Sequence, residues 1–312
     1  MPVRSRARRS SKRCARDPAL VTPPPPREAS TAARDDEDCE PLRGVDGRPS
    51  RYRAEVWYHV GDLLFDRATD DAGHRSAIAA YRASMRASSP DDRDSYWPRA
   101  LYKVAWSHFR RQDGAEEALR TFVQLLDHYE RVGAPEASNR ADVLRWIAVL
   151  LVESGGDGAD TPASRRCQGL VESAARPEPN MWRPFDCVGL ARVQSSDIPQ
   201  DRRWTPEVYL ELANEYFNET KYHETITLLR AFLARFPLHA QAPRIGEVIA
   251  IAYERMRRWG DARDARLHFI IDYAEGTAWW SANVRGVGRQ ADSEWGVQYA
   301  LRTDAVSHHQ EA

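Results

Sequence analysis

The stretch from Thr205 to Pro237, which reads TPEVYLELANEYFNETKYHETITLLRAFLARFP, carries the most regular apolar pattern in the chain. Large side chains recur at helical spacing around the small Ala213 and again around Leu229. Because proline cannot continue a helix, Pro237 ends the second run. The pattern predicts two amphipathic helices that pack as a pair. Since one such pair cannot bury its own apolar face, we expect neighbouring pairs to stack on it.

The offsets within this stretch resemble those of the tetratricopeptide repeat. That repeat has a large residue, Leu three later, a small residue next, an aromatic three later, and then Ala, Phe and Pro positions. Here the small residue is Ala213, Thr225 takes the Ala position, Leu229 takes the Phe position, and Pro237 lies in register. The resemblance implies an all-α fold, a right-handed α-solenoid of stacked helix-turn-helix repeats with a concave groove.

An earlier stretch shows the same pattern with a longer link between its two helices. Sixteen positions separate the small Gly61 from Ala77, against twelve between Ala213 and Thr225. We therefore expect a widened turn over Arg67 to His74, with the ordered part of the chain beginning near residue 51.

A second early pair is centred on Ala105 and Ala118, with one extra residue in the turn at Asp113-Gly114. A further amphipathic helix is predicted from about Glu136 to Val152. Together these patterns predict N-terminal repeats over residues 51–153.

The pattern fails over residues 154–203, which are rich in glycine and proline and read as an irregular insertion. A short helix is expected at 163–175. Cys167 and Cys187 lie here, and three interpretations stay open: free thiols, a disulfide in an exported protein, or a metal or redox role. The run GGDGAD at 155–160 is typical of a flexible turn, and it lacks the spaced acids and closing Glu of a calcium-binding EF-hand loop.

Repeats resume over residues 204–277. Ala250 and Ala262 are separated by twelve positions, as in the clearest repeat, but Arg266 occupies the position where a large apolar residue is expected. Residues 278–312 are predicted to form capping helices, with aromatic residues that close the end of the array. These are Trp279, Trp280, Trp295 and Tyr299.

Residues 1–50 show no apolar period and are predicted to be a disordered tail that is basic, then proline-rich, then acidic. An alternative is a basic arm that contacts phosphate or acidic lipid, which the acidic cluster at 35–40 would weaken. No apolar run follows Arg8-Arg9 or precedes Cys14, so no export signal is recognised and a cytoplasmic location is expected. A misassigned start codon would change that expectation.

The order of four segments resembles tetratricopeptide proteins of myxobacteria and related deltaproteobacteria. The segments are VWYHVGDLLFD, ALYKVAWSHF, VYLELANEYFNETKYHETI and GTAWWSAN, between Arg51 and Asn283. Proteins of that group are often associated with the cell envelope and resemble repeat lipoproteins that assist outer-membrane assembly. The resemblance therefore implies a periplasmic or envelope location as the alternative.

No recognised catalytic or cofactor-binding motif occurs in the sequence. There is no phosphate-binding loop, no nucleophile elbow and no His-Glu-x-x-His helix. The formal net charge of -1 gives no general attraction to nucleic acid or anionic membrane. No apolar run approaches the length of a membrane span. We therefore expect a non-enzymatic protein with no cofactor and no metal site, which does not bind nucleic acid.

A partner is expected in the concave groove, at first-helix positions next to the packing stripe. The predicted groove residues are Tyr58, His59, Asp62, Phe65, Tyr102, Lys103, Trp106, Phe109, Arg110, Leu210, Glu211, Asn214, Phe217 and Asn218. This mixture of aromatics, amides and charges suits an extended peptide or a partner helix. The alternative is that the aromatics pack against the next helix.

Three functional hypotheses remain. The first is a non-catalytic scaffold that holds a protein or peptide in its groove. The second is an envelope-assembly or export accessory protein with a misassigned start. The third is an enzyme whose site lies in the 154–203 insertion.

Overall fold

The computed structural model describes residues 51–92, 95–134, 138–153, 188–195 and 197–283. The predictions for the 1–50 tail, the helix at 163–175, GGDGAD, the two cysteines and the chain after 283 lie outside these ranges. The chain divides into two compact units, Met1–Val143 and Leu144–Ala312. Each unit is described by itself.

The described part of the chain contains eleven helices in a simple order. They are α1 Arg53–Arg67, α2 Asp71–Arg86, α3 Tyr96–Phe109, α4 Ala115–Arg131, α5 Arg140–Glu153, α6 Val188–Val193, α7 Thr205–Asn218, α8 Tyr222–Arg235, α9 Ala242–Arg255, α10 Trp259–Tyr273 and α11 Ala278–Asn283. No strand occurs in the ranges described, so the all-α prediction is confirmed.

In the first unit, each of the helices α1 to α4 packs against the next along the chain, and α1 also lies beside α3. Their shared core contains Ala77, Tyr81, Ala100 and Val104. Gly61 is required at the centre of α1, because a Cβ there would lie 2.5 Å from the ring of Tyr81. The close approach of α1 and α2 follows from this glycine.

In the second unit, α7 to α11 also pack in chain order. Pro206 stands in the first turn of α7, where its missing N–H leaves no hydrogen bond unmade. The Thr205 hydroxyl donates to the Pro199 carbonyl at 2.6 Å, and Trp204 is buried beside it. At the other end, the Trp279 indole donates to the His239 carbonyl and holds α11 against the unit.

This side-by-side order within each unit confirms the predicted stacking of helix pairs. The part of the chain that the structure describes has no helix long and apolar enough to cross a membrane.

Two local predictions were wrong in detail, and one helix was not predicted. The widened turn expected over Arg67 to His74 is only three residues long, because the Asp70 carboxylate accepts a hydrogen bond from the Gly73 N–H and starts α2 at Asp71. The extra residues extend α2 instead. The helix expected from Glu136 starts at Arg140. Within the supposed insertion, α6 is a helix that the sequence pattern did not predict, and Ala191 and Val193 on it are fully buried.

Candidate functional site

The four complete helix pairs share one frame, counted from the small buried residue of the first helix. These small residues are Gly61, Ala105, Ala213 and Ala250 in α1, α3, α7 and α9. We call the residues three before and four after the small residue the flanking pair, and the large buried residue of the second helix the core residue. The positions six before, two before, one after and five after form the outward row, since they lie on one side of a helix.

In the first pair, the flanking residues Tyr58 and Phe65 are half-buried against the core cluster that contains the core residue Tyr81. The ring centroid of Tyr58 lies 5.8 Å from that of Tyr81 and 5.4 Å from that of Tyr96 in α3. Phe65 packs under the Lys103 ammonium, 5.4 Å from the ring centroid. These two aromatics therefore fill the interface between helices.

The next two pairs have the same apolar arrangement. In α3, Tyr102 lies edge-on to the core residue Phe122, with ring centroids 6.1 Å apart. In α7, the flanking residues are Leu210 and Phe217, both half-buried, and the core residue Leu229 is buried. Six of the predicted groove residues thus occupy flanking positions. They are Tyr58, Phe65, Tyr102, Phe109, Leu210 and Phe217.

The fourth pair replaces this apolar arrangement by ions. Its flanking residues are Glu247 and Glu254, and its core residue is Arg266, which is 4% exposed. The Arg266 guanidinium donates to Glu247 Oε1 at 2.8 Å and to Glu254 Oε1 at 2.6 Å. Burial alone would lower the pKa of Arg266, but the hydrogen bonds that it donates to both carboxylates outweigh burial and raise the pKa. In the sequence, Arg266 stands where a large apolar residue is expected, and the structure shows that two glutamates bind its guanidinium.

The outward rows of α1 and α3 lie next to each other in the first unit. Asp62 joins them: it accepts a hydrogen bond from the Tyr81 hydroxyl at 2.8 Å and forms an ion pair with the Lys103 ammonium at 3.3 Å. His59 Nδ1 lies 3.8 Å from the other carboxylate oxygen. Burial and the hydrogen bond to Asp62 raise the pKa of Tyr81, so its hydroxyl keeps its proton.

The outward row of α3 consists of Arg99, Lys103, Trp106 and Arg110. Arg99 and Arg110 are exposed, Lys103 and Trp106 are half-buried, and Trp106 packs edge-on against Phe109 with centroids 5.6 Å apart. Arg99 was not among the predicted groove residues. Counting six residues back from Ala105 would have found it, because that is the same side of the helix. We call the outward rows of α1 and α3 together the unit 1 face.

In the second unit, the outward row of α7 is Glu207, Glu211, Asn214 and Asn218, of which the last two are exposed. Burial and the neighbouring Glu215 raise the pKa of Glu211. Arg145 of α5 forms an ion pair with Glu215 at 3.3 Å and partly offsets that effect. The outward row of α9 is Arg244, Val248, Ile251 and Arg255, with exposed arginines at both ends.

The predicted groove residues therefore fall into two classes, flanking residues inside helix interfaces and outward residues that face solvent. The outward ones are His59, Asp62, Lys103, Trp106, Arg110, Glu211, Asn214 and Asn218. Among the described residues, no group of three or more His, Cys, Asp or Glu side chains is placed to hold a metal ion.

No protein-family model matches the chain, and no curated protein matches its sequence.

Proposed function

We propose that this chain is a non-catalytic scaffold of the tetratricopeptide type, which holds a protein partner on the unit 1 face. The observation that carries the proposal is the outward row of α3, where a half-buried tryptophan stands between two exposed arginines. Tryptophan and arginine are the side chains that most often dominate the energy of protein interfaces. A half-buried Trp106 gives a partner an apolar anchor that is already held in place, so little ordering entropy is lost on binding.

The helix order in the unit supports the same function. Because α1 lies beside α3, their outward rows form one continuous surface of aromatic, basic and acidic groups rather than isolated side chains. A surface of this kind suits an extended peptide, with an anchor for one side chain and ionic groups around it. The envelope and enzyme hypotheses stay predictions, since no specific contact of the described residues favours them.

The test is affinity capture with three versions of the full chain: wild type, Trp106→Ala, and Trp259→Ala as the matched control. Trp259 is 59% exposed on α10, so its replacement removes an equal side chain that is not part of the unit 1 face. Circular dichroism checks that all three are folded. We expect a partner that the wild type and Trp259→Ala retain and that Trp106→Ala loses, with the purified partner reproducing the difference.

Equal retention by all three proteins would contradict the proposed site. Measurable turnover of a small molecule without any retained protein partner would contradict the scaffold function itself.

A further inference from the structure

The two rows of the unit 1 face carry opposite charge. The α1 row begins with Glu55 and ends with the exposed Asp66, while the α3 row begins with Arg99 and ends with Arg110. The middle of the face is neutralised internally, because Asp62 and Lys103 form an ion pair at 3.3 Å. The charges that a partner can meet are therefore acidic along α1 and basic along α3.

The charged residues at the ends of the two rows are not neutralised by ion pairs within the face. Within the ranges that the structure describes, Glu55, Asp66 and Arg110 take part in no ion pair, and the Arg99 guanidinium lies 5.5 Å from the centroid of the Tyr96 ring. Asp62, in contrast, accepts a hydrogen bond from Tyr81 and forms an ion pair with Lys103. Charge complementarity at the ends of the rows is thus left for a ligand.

The spacing of the rows sets the spacing of the complementary groups. Packed helices lie about 8–10 Å apart, and an extended peptide advances about 3.3 Å per residue. A peptide that crosses from α1 to α3 therefore moves from the acidic row to the basic row within about three residues. Trp106 lies in the basic row, so an apolar side chain beside the acidic one would contact it.

We propose that the unit 1 face binds an extended peptide of bipolar charge, with a basic residue over the α1 row and an acidic residue about three positions away over the α3 row. An apolar residue next to the acidic one packs on Trp106. This inference rests on the proposed function and specifies the chemistry of the partner. The second unit shows the same order, since an acidic and amide row on α7 is followed by an arginine-ended row on α9.

The test is selection from a phage-displayed library of random dodecapeptides against the full chain at low and high salt. The basic row is reversed in Arg99→Glu/Arg110→Glu and neutralised in Arg99→Gln/Arg110→Gln. The acidic row is reversed in Glu55→Lys/Asp66→Lys. A charge-matched control, Arg75→Glu/Arg120→Glu, changes two exposed arginines on α2 and α4. Circular dichroism verifies each fold.

Wild type and control should select peptides with a basic and an acidic residue about three apart and an apolar residue beside the acid. The Arg99→Glu/Arg110→Glu protein should bind those peptides about tenfold or more weakly and select basic residues at the former acidic position. The Gln variant should lie between, and salt should shrink every difference, because these charges are exposed.

Selected peptides without this charge pattern, or with the same pattern for every variant, would overturn the bipolar ligand while leaving a binding face in place. No enrichment by the folded wild type would overturn the proposed function itself. The two failures are therefore distinguishable.

Discussion

The first and last complete helix pairs fill the space between their helices with different side chains, aromatic in the first pair and charged in the last. In α1, the flanking pair Tyr58 and Phe65 packs with a core residue, Tyr81, that hydrogen-bonds to Asp62. In α9, the flanking pair is Glu247 and Glu254, and an arginine is the core residue. The flanking residues stand three before and four after the small residue in both. The repeat geometry therefore depends on filling the space between helices, and either rings or a hydrogen-bonded ion cluster can fill it.

The aromatic cluster and the ion cluster should respond differently to substitution. An apolar cluster loses contacts gradually when a side chain is trimmed, whereas a buried ion cluster that loses one member leaves charge uncompensated in a poorly solvated site. The pair around α9 should therefore be the more sensitive of the two to single substitutions.

The largest effect is expected from Arg266→Met, which leaves Glu247 and Glu254 facing each other without their cation. We expect a loss of about 3–5 kcal/mol in the free energy of unfolding of the second unit, because a broken buried pair carries that penalty. Urea unfolding followed by circular dichroism measures it.

The control replaces the ion cluster by the apolar residues found at the same positions of the α7 pair. It is the triple variant Glu247→Leu, Glu254→Phe and Arg266→Leu. We expect this triple variant to be about as stable as the wild type, since apolar replacements of buried ion pairs are often neutral or stabilising. A triple variant as unstable as Arg266→Met would mean that the ion cluster has a role beyond filling space.

The second expected effect is a loss of stability at acid pH, and it should be larger in the first unit than in the second. All three histidines among the buried residues described, His74, His108 and His128, belong to the first unit. Burial, and then repulsion by Arg82 and Arg111, lower the pKa of His108 from its ordinary value of 6.5 to about 4. Burial also lowers the pKa of His74 and of His128.

As pH falls from 6.5 towards 4, these histidines become protonated in the unfolded chain but stay neutral in the folded one. The first unit should therefore lose stability over this pH range. For His108 the loss should be on the order of 2–3 kcal/mol, and His108→Gln should reduce the slope. Hydrogen exchange read by peptide should show faster exchange in α1–α4 than in α7–α10 in this window. If exchange became faster to the same extent in both sets of helices, the acid sensitivity could not be assigned to the buried histidines of the first unit.

A third comparison uses two glycines. A Cβ at Gly61 would lie 2.5 Å from the Tyr81 ring, whereas one at Gly246 would lie 3.0 Å from a single ring atom of Phe269. Since its hydroxyl is bound to Asp62, the Tyr81 ring has little freedom to move. Gly61→Ala should therefore cost about 1–3 kcal/mol, and Gly246→Ala less than about 1 kcal/mol because alanine favours the helix. Thermal unfolding of the two variants measures the difference, and an equal cost would show that Tyr81 yields.

The smallest effect is expected from Tyr81→Phe, which removes the hydroxyl that donates to Asp62. Lys103 still neutralises the carboxylate, so the cost should be about 1 kcal/mol. The phenyl ring keeps the packing of the tyrosine ring, and the equivalent buried residue of the next pair is Phe122. A cost several times larger would mean that Asp62 depends on the tyrosine more than on the lysine.

The sequence predicted the all-α fold and the helix pairs because the apolar spacing around Gly61, Ala105, Ala213 and Ala250 is local information. It failed on the first link, since the Asp70 cap that shortens the turn is a single hydrogen bond without an apolar signal. It also missed α6, because six residues are too few to show a helical period.

For the candidate site, the sequence placed residues on the correct helices but did not separate the flanking positions from the outward ones. That separation depends on where the neighbouring helix lies, as the contacts of Tyr58 with Tyr96 and of Lys103 with Asp62 show. Arg99 was missed for a different reason, since it lies six residues before Ala105, farther along the helix than the positions that were considered.

The most direct measurement of partner binding on the unit 1 face is photo-crosslinking from position 106. A photoreactive phenylalanine analogue replaces Trp106 in one version of the full chain and Trp259 in another, and adducts are identified by mass spectrometry. We expect a discrete protein adduct from position 106 that Arg99→Glu/Arg110→Glu abolishes, and no such adduct from position 259. Adducts of equal yield from both positions, or none from position 106 in a folded protein, would contradict binding at this face.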